Sequence, residues 1–486
     1  MSDRPAPRPN ILFIHSDQHR FDCVGVNGHP LIRTPNLDRM AAEGVNFTQA
    51  YTPVPVCTPA RTSLLTGQWP TEHLCIANWR SEAPRPAVDG LPTFSQALNE
   101  HGYFLGYIGK WHVHPTQGAL DYGFHEYIVE EGPFKGMPRF GFHERLPEEE
   151  LSYKAWRRAQ GIPPRPRENG WLGETDPYIT PEQSRLAWGA DQTIHMLERR
   201  GQSDKPFFIR WDPSEPHLPN VVPEPYASMY PPVDIPPWPS FPDPLTGKPY
   251  IQAQQRRTWR VDGWTWADWA PIVGRYLGEI SLLDAQIGRL LDALERLGLA
   301  ENTLVIYSTD HGDLCGGHGM MDKHFIMYDD VTRVPLIARW PARIAPGREC
   351  DAFISSAIDL AATFCDVAGA PIPETFSGQS LAPLLAGAEE NGRPDILSMY
   401  HGNVFGLYSQ RMVRDRRWKY VWNATAEDEL YDLERDPGEI HNRATDPACA
   451  GELARLRRRL VDWMEETHDL LLNPWTRDQL LEGTKV

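Results

Sequence analysis

The strongest constraint on this chain is a set of short apolar runs, each ending in polar residues, with helical patterns between them. The runs are Asn10 to His15, followed by Asp17 and Gln18; Phe207 to Trp211, followed by Asp212 through His217; and Thr303 to Ser308, followed by Asp310 and His311. Buried strands that alternate with helices are typical of a parallel sheet packed on both faces. Ligands bind beyond the carboxyl ends of such strands, so the polar clusters are candidate site residues.

Other segments predict the domain organisation. Tyr276 to Leu297 carries apolar residues at helical spacing and is followed by Gly298, which predicts a structural helix with a glycine cap. Residues 132–176 are charged and irregular, and residues 216–270 begin with a proline-dense stretch, so both are predicted insertions. We expect a catalytic domain over 1–385 and a smaller C-terminal α+β domain with an antiparallel sheet over 386–486.

A tryptophan-rich run within the second insertion has two interpretations. It contains Trp259, Trp264, Trp266 and Trp269. These side chains either line a substrate pocket, where they would suit a sugar, an aryl ring or a choline-like cation, or pack the insertion onto the core. Packing is the commoner role of such residues.

Charge and composition exclude several function classes. The 486 residues include 48 Lys and Arg against 65 Asp and Glu, a net charge of −17, which argues against nucleic-acid binding. We find no apolar stretch long enough for a signal peptide or membrane span, and predict a cytoplasmic protein without a membrane partner. The seven cysteines lack metal-finger spacing, and most are expected to be buried thiols.

The most informative motif surrounds Cys57, where residues 56–67 read VCTPARTSLLTG. A cysteine at a proline-initiated helix start, with Arg61 one turn on, is either an activated thiol or an ordinary buried one. The segment resembles the signature of the sulfatase family, Cys/Ser-x-Pro-x-Arg followed by Thr-Gly. The resemblance implies that a formylglycine-generating enzyme oxidises Cys57 to an aldehyde.

Two strand ends resemble the family's divalent-metal ligands. They are Asp17 with Gln18 and Asp310 with His311, joined by the side chain of Cys57. Carboxylate and amide oxygens with one imidazole suit Ca²⁺, Mg²⁺ or Mn²⁺. The resemblance implies one divalent ion, with Ca²⁺ as the first candidate and Mn²⁺ and Mg²⁺ as alternatives. An Asp at a strand end is by itself more often a turn former, but two such pairs in family order favour a metal site.

Further cationic residues complete the resemblance. Arg61 and Lys110 are implied to hold the nucleophile and the sulfuryl oxygens, and His112 is the implied base for the second half of the reaction. His217 and Lys323 are implied to contact the leaving group. The motifs are Gly109-Lys110-Trp111-His112, Pro216-His217, and Gly317-His318-Gly319 followed by Lys323.

These motifs span nearly the whole chain and identify it as a member of the sulfatase branch of the alkaline phosphatase superfamily. The resemblance implies a large mixed, mostly parallel sheet sandwiched by helices. It also implies hydrolysis of a small-molecule sulfate ester to inorganic sulfate and an alcohol, with the formylglycine hydrate of Cys57 as nucleophile and Asp310 as proton acceptor. The sequence is compatible with a homo-oligomer.

Two alternatives stay open at this point. Gln18 and His311 replace the second Asp and the Asn of many arylsulfatases, and this pairing also resembles phosphonate monoester hydrolases and choline-sulfatase-like enzymes. The first alternative is therefore a phosphonate monoester or phosphodiester hydrolase that uses the same nucleophile. The second is a metal-dependent binding protein in which Cys57 stays unoxidised.

Overall fold

The central sheet contains eight strands in the order β11-β2-β10-β9-β1-β7-β4-β5, and in this sheet only β10 is antiparallel to its neighbours. The structure is a computed structural model that describes residues 8–78, 88, 90–115, 117–130, 152–388, 392–402, 404 and 406–483. Its strands are β1 (Asn10–Ser16), β2 (Val45–Phe47), β3 (Ala50–Tyr51), β4 (Phe104–Gly109), β5 (Glu126–Ile128), β6 (Glu174–Thr175), β7 (Phe207–Asp212), β8 (Val221–Val222), β9 (Thr303–Thr309), β10 (Leu336–Arg339), β11 (Arg348–Cys350), β12 (Ile354–Ser355), β13 (Ile396–Gly402), β14 (Tyr408–Arg414), β15 (Trp418–Asn423) and β16 (Glu429–Asp432).

Helices cover both faces of this sheet. Alternate side chains of β1 point to opposite faces: Ile11 and Phe13 pack with one group of helices, α2, α4 and α10, and Leu12 and Ile14 with another, α1, α6 and α8. The predicted fold class is therefore confirmed. The helices are α1 (Pro35–Ala42), α2 (Cys57–Thr66), α3 (Pro70–His73), α4 (Phe94–Glu100), α5 (Tyr153–Ala159), α6 (Arg185–Arg200), α7 (Tyr250–Trp259), α8 (Trp266–Arg296), α9 (Asp329–Thr332), α10 (Ser356–Ala368), α11 (Ala382–Leu385), α12 (Ala450–Glu466) and α13 (Pro474–Glu482).

The predicted helix at Tyr276 starts ten residues earlier than expected, at Trp266. Thr265 and Asp268 form a capping box there, and the helix continues through Pro271. Burial of Trp269, whose ring packs 5.1 Å from that of Trp264, supplies the tertiary contact that outweighs the helix-breaking proline. The predicted end is correct, because Gly298 follows the helix in the left-handed region with φ +68°.

The two predicted insertions differ in regularity. Residues 132–151 of the first lie outside the described residues, and the remainder contains α5 and β6, so the expectation that it is wholly irregular is wrong there. From residue 216 to 249 the second holds only β8 and a short 3₁₀ turn, as its proline density predicts. The Trp259–Trp269 run packs against the core, with Trp266 5.3 Å from Phe241, and does not line the large pocket described below.

A second, antiparallel sheet contains β13 to β16 in sequence order. One face packs on α12. Met412 and Val421 on the other face belong to the same apolar cluster as Val56 and Ala60, at the start of α2. This sheet therefore supports the segment that carries Cys57. The predicted boundary at residue 385 stays a prediction.

The helices in the described part of the chain include none with both the length and the apolarity that crossing a bilayer requires.

Gly109 allows the ends of β4 and β7 to approach each other. Its φ is +110°, and a Cβ there would lie 2.1 Å from the carbonyl oxygen of Asp212. We expect Gly109→Ala to lower the apparent melting temperature by about 4 °C or more, because it adds a backbone clash to left-handed strain. Gly161→Ala is the control, since Gly161 has φ +68° but open space around it. Equal decreases in the melting temperatures of the two variants, measured by scanning fluorimetry, would contradict this account.

Candidate active site

The site lies where four neighbouring parallel strands end. Asp17 follows β1, Asp310 follows β9, Lys110 follows β4, and Asp212 is the last residue of β7. These strands are adjacent in the order β9-β1-β7-β4, so their carboxyl ends share one edge of the sheet. Cys57 is the first residue of α2, with Val56 as the N-cap.

Arg61 is fully buried and joins the three carboxylates. Its Nε donates to Asp310 at 3.0 Å, Nη1 to Asp212 at 2.6 Å and Nη2 to Asp17 at 3.1 Å. Burial opposes the charge of Arg61, but the carboxylates of Asp310, Asp17 and Asp212 raise its pKa well above the usual range. The pKa values of Asp17 and Asp212 lie well below the usual range although burial opposes their ionisation, because positive groups including Arg61 and, for Asp212, Arg210 surround them.

Sequence reasoning named Asp212 only as part of the polar cluster after the second apolar run and gave it no catalytic or metal-binding role. It takes part in the same cluster and also accepts a hydrogen bond from Arg210 Nη2 at 2.7 Å. The signal was present, because Asp212 ends an apolar run in the same way that Asp17 and Asp310 follow theirs.

The side chains of Asp17, Cys57, Asp310 and His311 fit a divalent metal. One ligand atom from each lies within 4.8 Å of the others, and all four residues are buried. His311 Nε2 lies 3.2 Å from Cys57 Sγ, and the Cys57 thiol faces Asp17 Oδ1 at 3.8 Å. Two carboxylates and an imidazole form a mixed oxygen and nitrogen donor set. Strand ends from β1 and β9 thus meet the start of α2 as predicted.

Gln18, the fifth predicted ligand, borders this cluster. Its backbone is in the left-handed region at φ +66°, and its backbone N–H donates to Asp310 Oδ1 at 3.2 Å. Three contacts orient the amide: Nε2 donates to Asp313 at 2.8 Å and to Asp322 at 3.3 Å, and Oε1 accepts from Lys323 Nζ at 2.6 Å. Burial and the neighbouring Asp322 raise the pKa of Asp313 to about 6.

Positive charges surround Cys57. Burial opposes ionisation of its thiol, yet Lys323 and Lys110 hold the pKa of Cys57 well below the ordinary thiol range. Burial also disfavours a charged His311, but Asp310 and Cys57 raise the pKa of His311 to about 9. Lys110 forms an ion pair with Asp17. The surroundings of residue 57 therefore favour negative charge on its side chain.

Of the three remaining predicted residues, His112 and His217 line the pocket described below, and Lys323 is buried. Burial lowers the pKa of His112, which hydrogen bonds to Cys57. Lys323 Nζ lies 2.7 Å from His217 Nε2, and His217 Nδ1 lies 2.6 Å from the carbonyl oxygen of Leu218. Because the carbonyl can only accept, Nδ1 carries the proton and Nε2 accepts from Lys323.

A pocket of about 620 Å³ opens beside these residues. Its inner end is formed by Lys110, His112 and His217. Sequence reasoning did not nominate the remaining wall, although it expected insertions to shape a pocket. The other lining residues are Gly109, Trp111, Tyr127, Val129, Glu130, Arg165, Pro166, Arg167, Gly170, Trp171, Arg185, Ser214, Leu218, Pro219 and Val221.

This sheet and this cluster are those of a hydrolase of the alkaline phosphatase superfamily, and comparison with known proteins narrows the class. The family model described as Sulfatase matches residues 9–370, and that described as N-sulphoglucosamine sulphohydrolase, C-terminal, matches residues 316–466. The chain belongs to the sulfatase family. The prediction of a sulfuric ester hydrolase is confirmed at the level of the family.

Individual relatives extend over nearly the full length. An arylsulfatase of Clostridium perfringens is 30% identical, covering 94% of this chain and 95% of that protein. A choline-sulfatase of Rhizobium meliloti is 27% identical, and the match covers 95% of this chain and 88% of that protein. The crystal structure of a phosphonate monoester hydrolase of Agrobacterium radiobacter matches with a TM-score of 0.79 at 26% identity. The match covers 95% of this chain and 97% of that chain.

The charges around Cys57 predict an ionised thiol in unmodified protein freed of metal by a chelator. We expect the ultraviolet thiolate absorbance lost in Cys57→Ser to titrate well below the ordinary thiol range, because Lys323 and Lys110 stabilise the anion. Cys365→Ser is the control: burial raises the pKa of Cys365 to about 12, so this variant should not change that titration. A Cys57 midpoint near the ordinary thiol value of about 8.5 would contradict the electrostatic account.

Proposed function

We propose that this protein hydrolyses sulfate esters of small alcohols, with Cys57 converted to formylglycine and its hydrate acting as nucleophile. The observation that carries the proposal is the buried cluster of Asp17, Cys57, Asp310 and His311 within an electropositive site. A formylglycine-generating enzyme would be the maturation partner. One divalent cation, with Ca²⁺ as first candidate and Mn²⁺ or Mg²⁺ as alternatives, would be held by Asp17, Gln18, residue 57, Asp310 and His311.

When bound, the cation would lower the pKa of a hydroxyl on residue 57. Asp310 is the proposed proton acceptor, because one of its carboxylate oxygens lies within 4.8 Å of Cys57 Sγ. Arg61 holds that carboxylate in place and cannot itself give up a proton. Lys110, whose side chain is about one-fifth exposed, faces the pocket and supplies positive charge to the sulfuryl oxygens.

His112 is proposed to act in the second half of the reaction. Its burial favours the neutral imidazole, and its hydrogen bond to residue 57 places it where a proton leaves that residue. A neutral imidazole within hydrogen-bond reach can accept this proton as sulfate is released.

Lys323 is the proposed donor to the departing alcohol. Burial opposes its charge, but Cys57 and Asp322 raise the pKa of Lys323 above the usual range, so its ammonium group stays protonated. His217 accepts from Lys323 in the tautomer that these contacts imply, so the proton of this pair lies on Lys323. With both ring nitrogens engaged, His217 is assigned to orient Lys323 toward the leaving-group oxygen.

Phosphonate monoester or phosphodiester hydrolysis is the second candidate function. Two observations favour it: the similarity to the Agrobacterium enzyme, and the presence of Gln18 and His311 in the cluster. Both reactions would use the same nucleophile, so the cluster by itself does not separate them.

The central test measures modification and turnover together. Peptide mass spectrometry of protein coexpressed with a formylglycine-generating enzyme should show the aldehyde at residue 57, and Cys57→Ala should reduce sulfate release by about 10³-fold or more. Chelation should remove activity, and one added divalent ion should restore it.

Faster hydrolysis of phenyl phosphonate monoesters than of phenyl sulfates would favour the second candidate function. Full retention of the thiol in an active protein would refute the proposed nucleophile.

The proposed role of Lys323 predicts that the activity lost when Lys323 is replaced depends on the acidity of the leaving alcohol. Lys323→Ala should lower kcat/KM by about 10²-fold for aryl sulfates with weakly acidic alcohols but by about tenfold or less for 4-nitrophenyl sulfate. Lys323→Arg keeps the charge but cannot transfer a proton, so it should restore little of the loss for weakly acidic alcohols. Lys205→Ala removes an exposed lysine as the control. An equal loss across the series would remove the assigned role.

A further inference from the structure

The pocket beside the cluster has mainly apolar walls. Its volume of about 620 Å³ is that of a site for a small organic molecule. Two polar groups on the wall are already committed: Trp111 Nε1 donates to the Gln117 carbonyl oxygen, and Ser214 Oγ donates to Glu130. A polyhydroxylated ring would bury hydroxyls against the remaining apolar surface, which costs free energy, so the walls favour an aromatic ring.

The charge of the outer wall is positive. Residues 163–167 read PPRPR, so prolines restrict the backbone that carries Arg165 and Arg167. Arg165 interacts electrostatically with buried Glu279. The exposed side chain of Arg167 has no hydrogen-bond or ion-pair partner in the part of the chain that the structure describes, so its guanidinium is available to a ligand.

The carboxylate of Glu130 does not offset this charge for a ligand. Glu130 is the only acidic side chain among the described residues that line the pocket. It accepts from the backbone N–H of Ser214 at 3.2 Å, and Arg185 Nε lies 3.8 Å away. A cationic alcohol would therefore meet the field of Arg165 and Arg167 without a free counter-charge.

Trp171 lies at the mouth of the pocket and is 59% exposed. Its segment is anchored, because Arg275 Nη2 donates to the carbonyl oxygen of neighbouring Leu172 at 2.9 Å. An exposed indole on an anchored segment offers a face on which a ligand ring can stack.

We propose that this pocket selects aryl sulfates whose ring carries a second anionic group, such as a carboxylate. The sulfate faces Lys110, the ring contacts the apolar wall and Trp171, and the distal anion pairs with the fork of Arg167. Arg167 and Trp171 are thus specificity residues. This inference rests on the proposed sulfate ester hydrolysis, and it disfavours a quaternary ammonium alcohol.

The test compares 4-carboxyphenyl sulfate with 4-carbamoylphenyl sulfate, which has the same shape without the charge. Wild-type enzyme should favour the carboxylate by about fivefold in kcat/KM, as expected for a partly exposed charge-assisted pair. Arg167→Gln should slow the carboxylate ester about fivefold more than the carbamoyl ester and so abolish this preference. Trp171→Ala should slow both esters. Arg158→Gln removes an exposed charge from α5 of the same insertion without touching the pocket, and should keep the preference.

Equal turnover of the two esters by wild type, unaffected by Arg167→Gln, would overturn the inference while leaving sulfate ester hydrolysis intact. Absence of turnover with every sulfate ester would instead overturn the proposed function. In that case, calorimetric binding measurements still test whether the pocket selects an anionic ring. Binding of 4-hydroxybenzoate about fivefold tighter than 4-hydroxybenzamide, lost in Arg167→Gln, supports the selection of an anion, and equal binding refutes it.

Discussion

The site depends on the contact of one buried guanidinium with three carboxylates. Asp17, Asp212 and Asp310 end or follow three adjacent strands, and parallel strands bring these charges to one edge of the sheet. Two like charges 4 Å apart repel by about 4 kcal/mol at an effective dielectric constant of 20. Arg61 offsets this repulsion through three separate nitrogens, a geometry that the single ammonium group of lysine cannot reproduce. The same contact helps to hold the pKa values of Asp17 and Asp212 below the usual range, and a divalent cation requires ionised carboxylate ligands.

Buried and exposed parts of the site are built from different segments. Every residue of α2, which carries Cys57 and Arg61, is buried, and the C-terminal sheet packs beneath its start. Such support fixes Cys57, the proposed nucleophile, relative to the strand ends. The pocket wall instead comes in part from the two insertions, and Arg167 and Trp171 of the first insertion are exposed. The proposed chemistry and the proposed selection of the alcohol therefore depend on different segments of the chain.

Much of this arrangement was predictable because strands and motifs leave local signals. The apolar runs predicted β1, β7 and β9 within one residue at their ends, and the polar residues after β1 and β9 are those that approach Cys57. Predictions from local sequence patterns failed where tertiary packing determines the structure. Trp269 is buried against Trp264, which extends α8 past Pro271 and makes the tryptophan-rich run part of the packing. The short helix α5 also lies in a segment expected to be irregular.

The sequence by itself determined the fold class and the sulfatase family and nominated the candidate site residues, because apolar periodicity and motif spacing are properties of neighbouring residues. Only the tertiary structure decided that Asp212 shares Arg61 with Asp17 and Asp310, that His217 accepts from Lys323, and that Arg167 lines the pocket. These contacts join residues far apart in the chain. Their geometry is set by sheet order and loop packing, for which a linear sequence gives no distance.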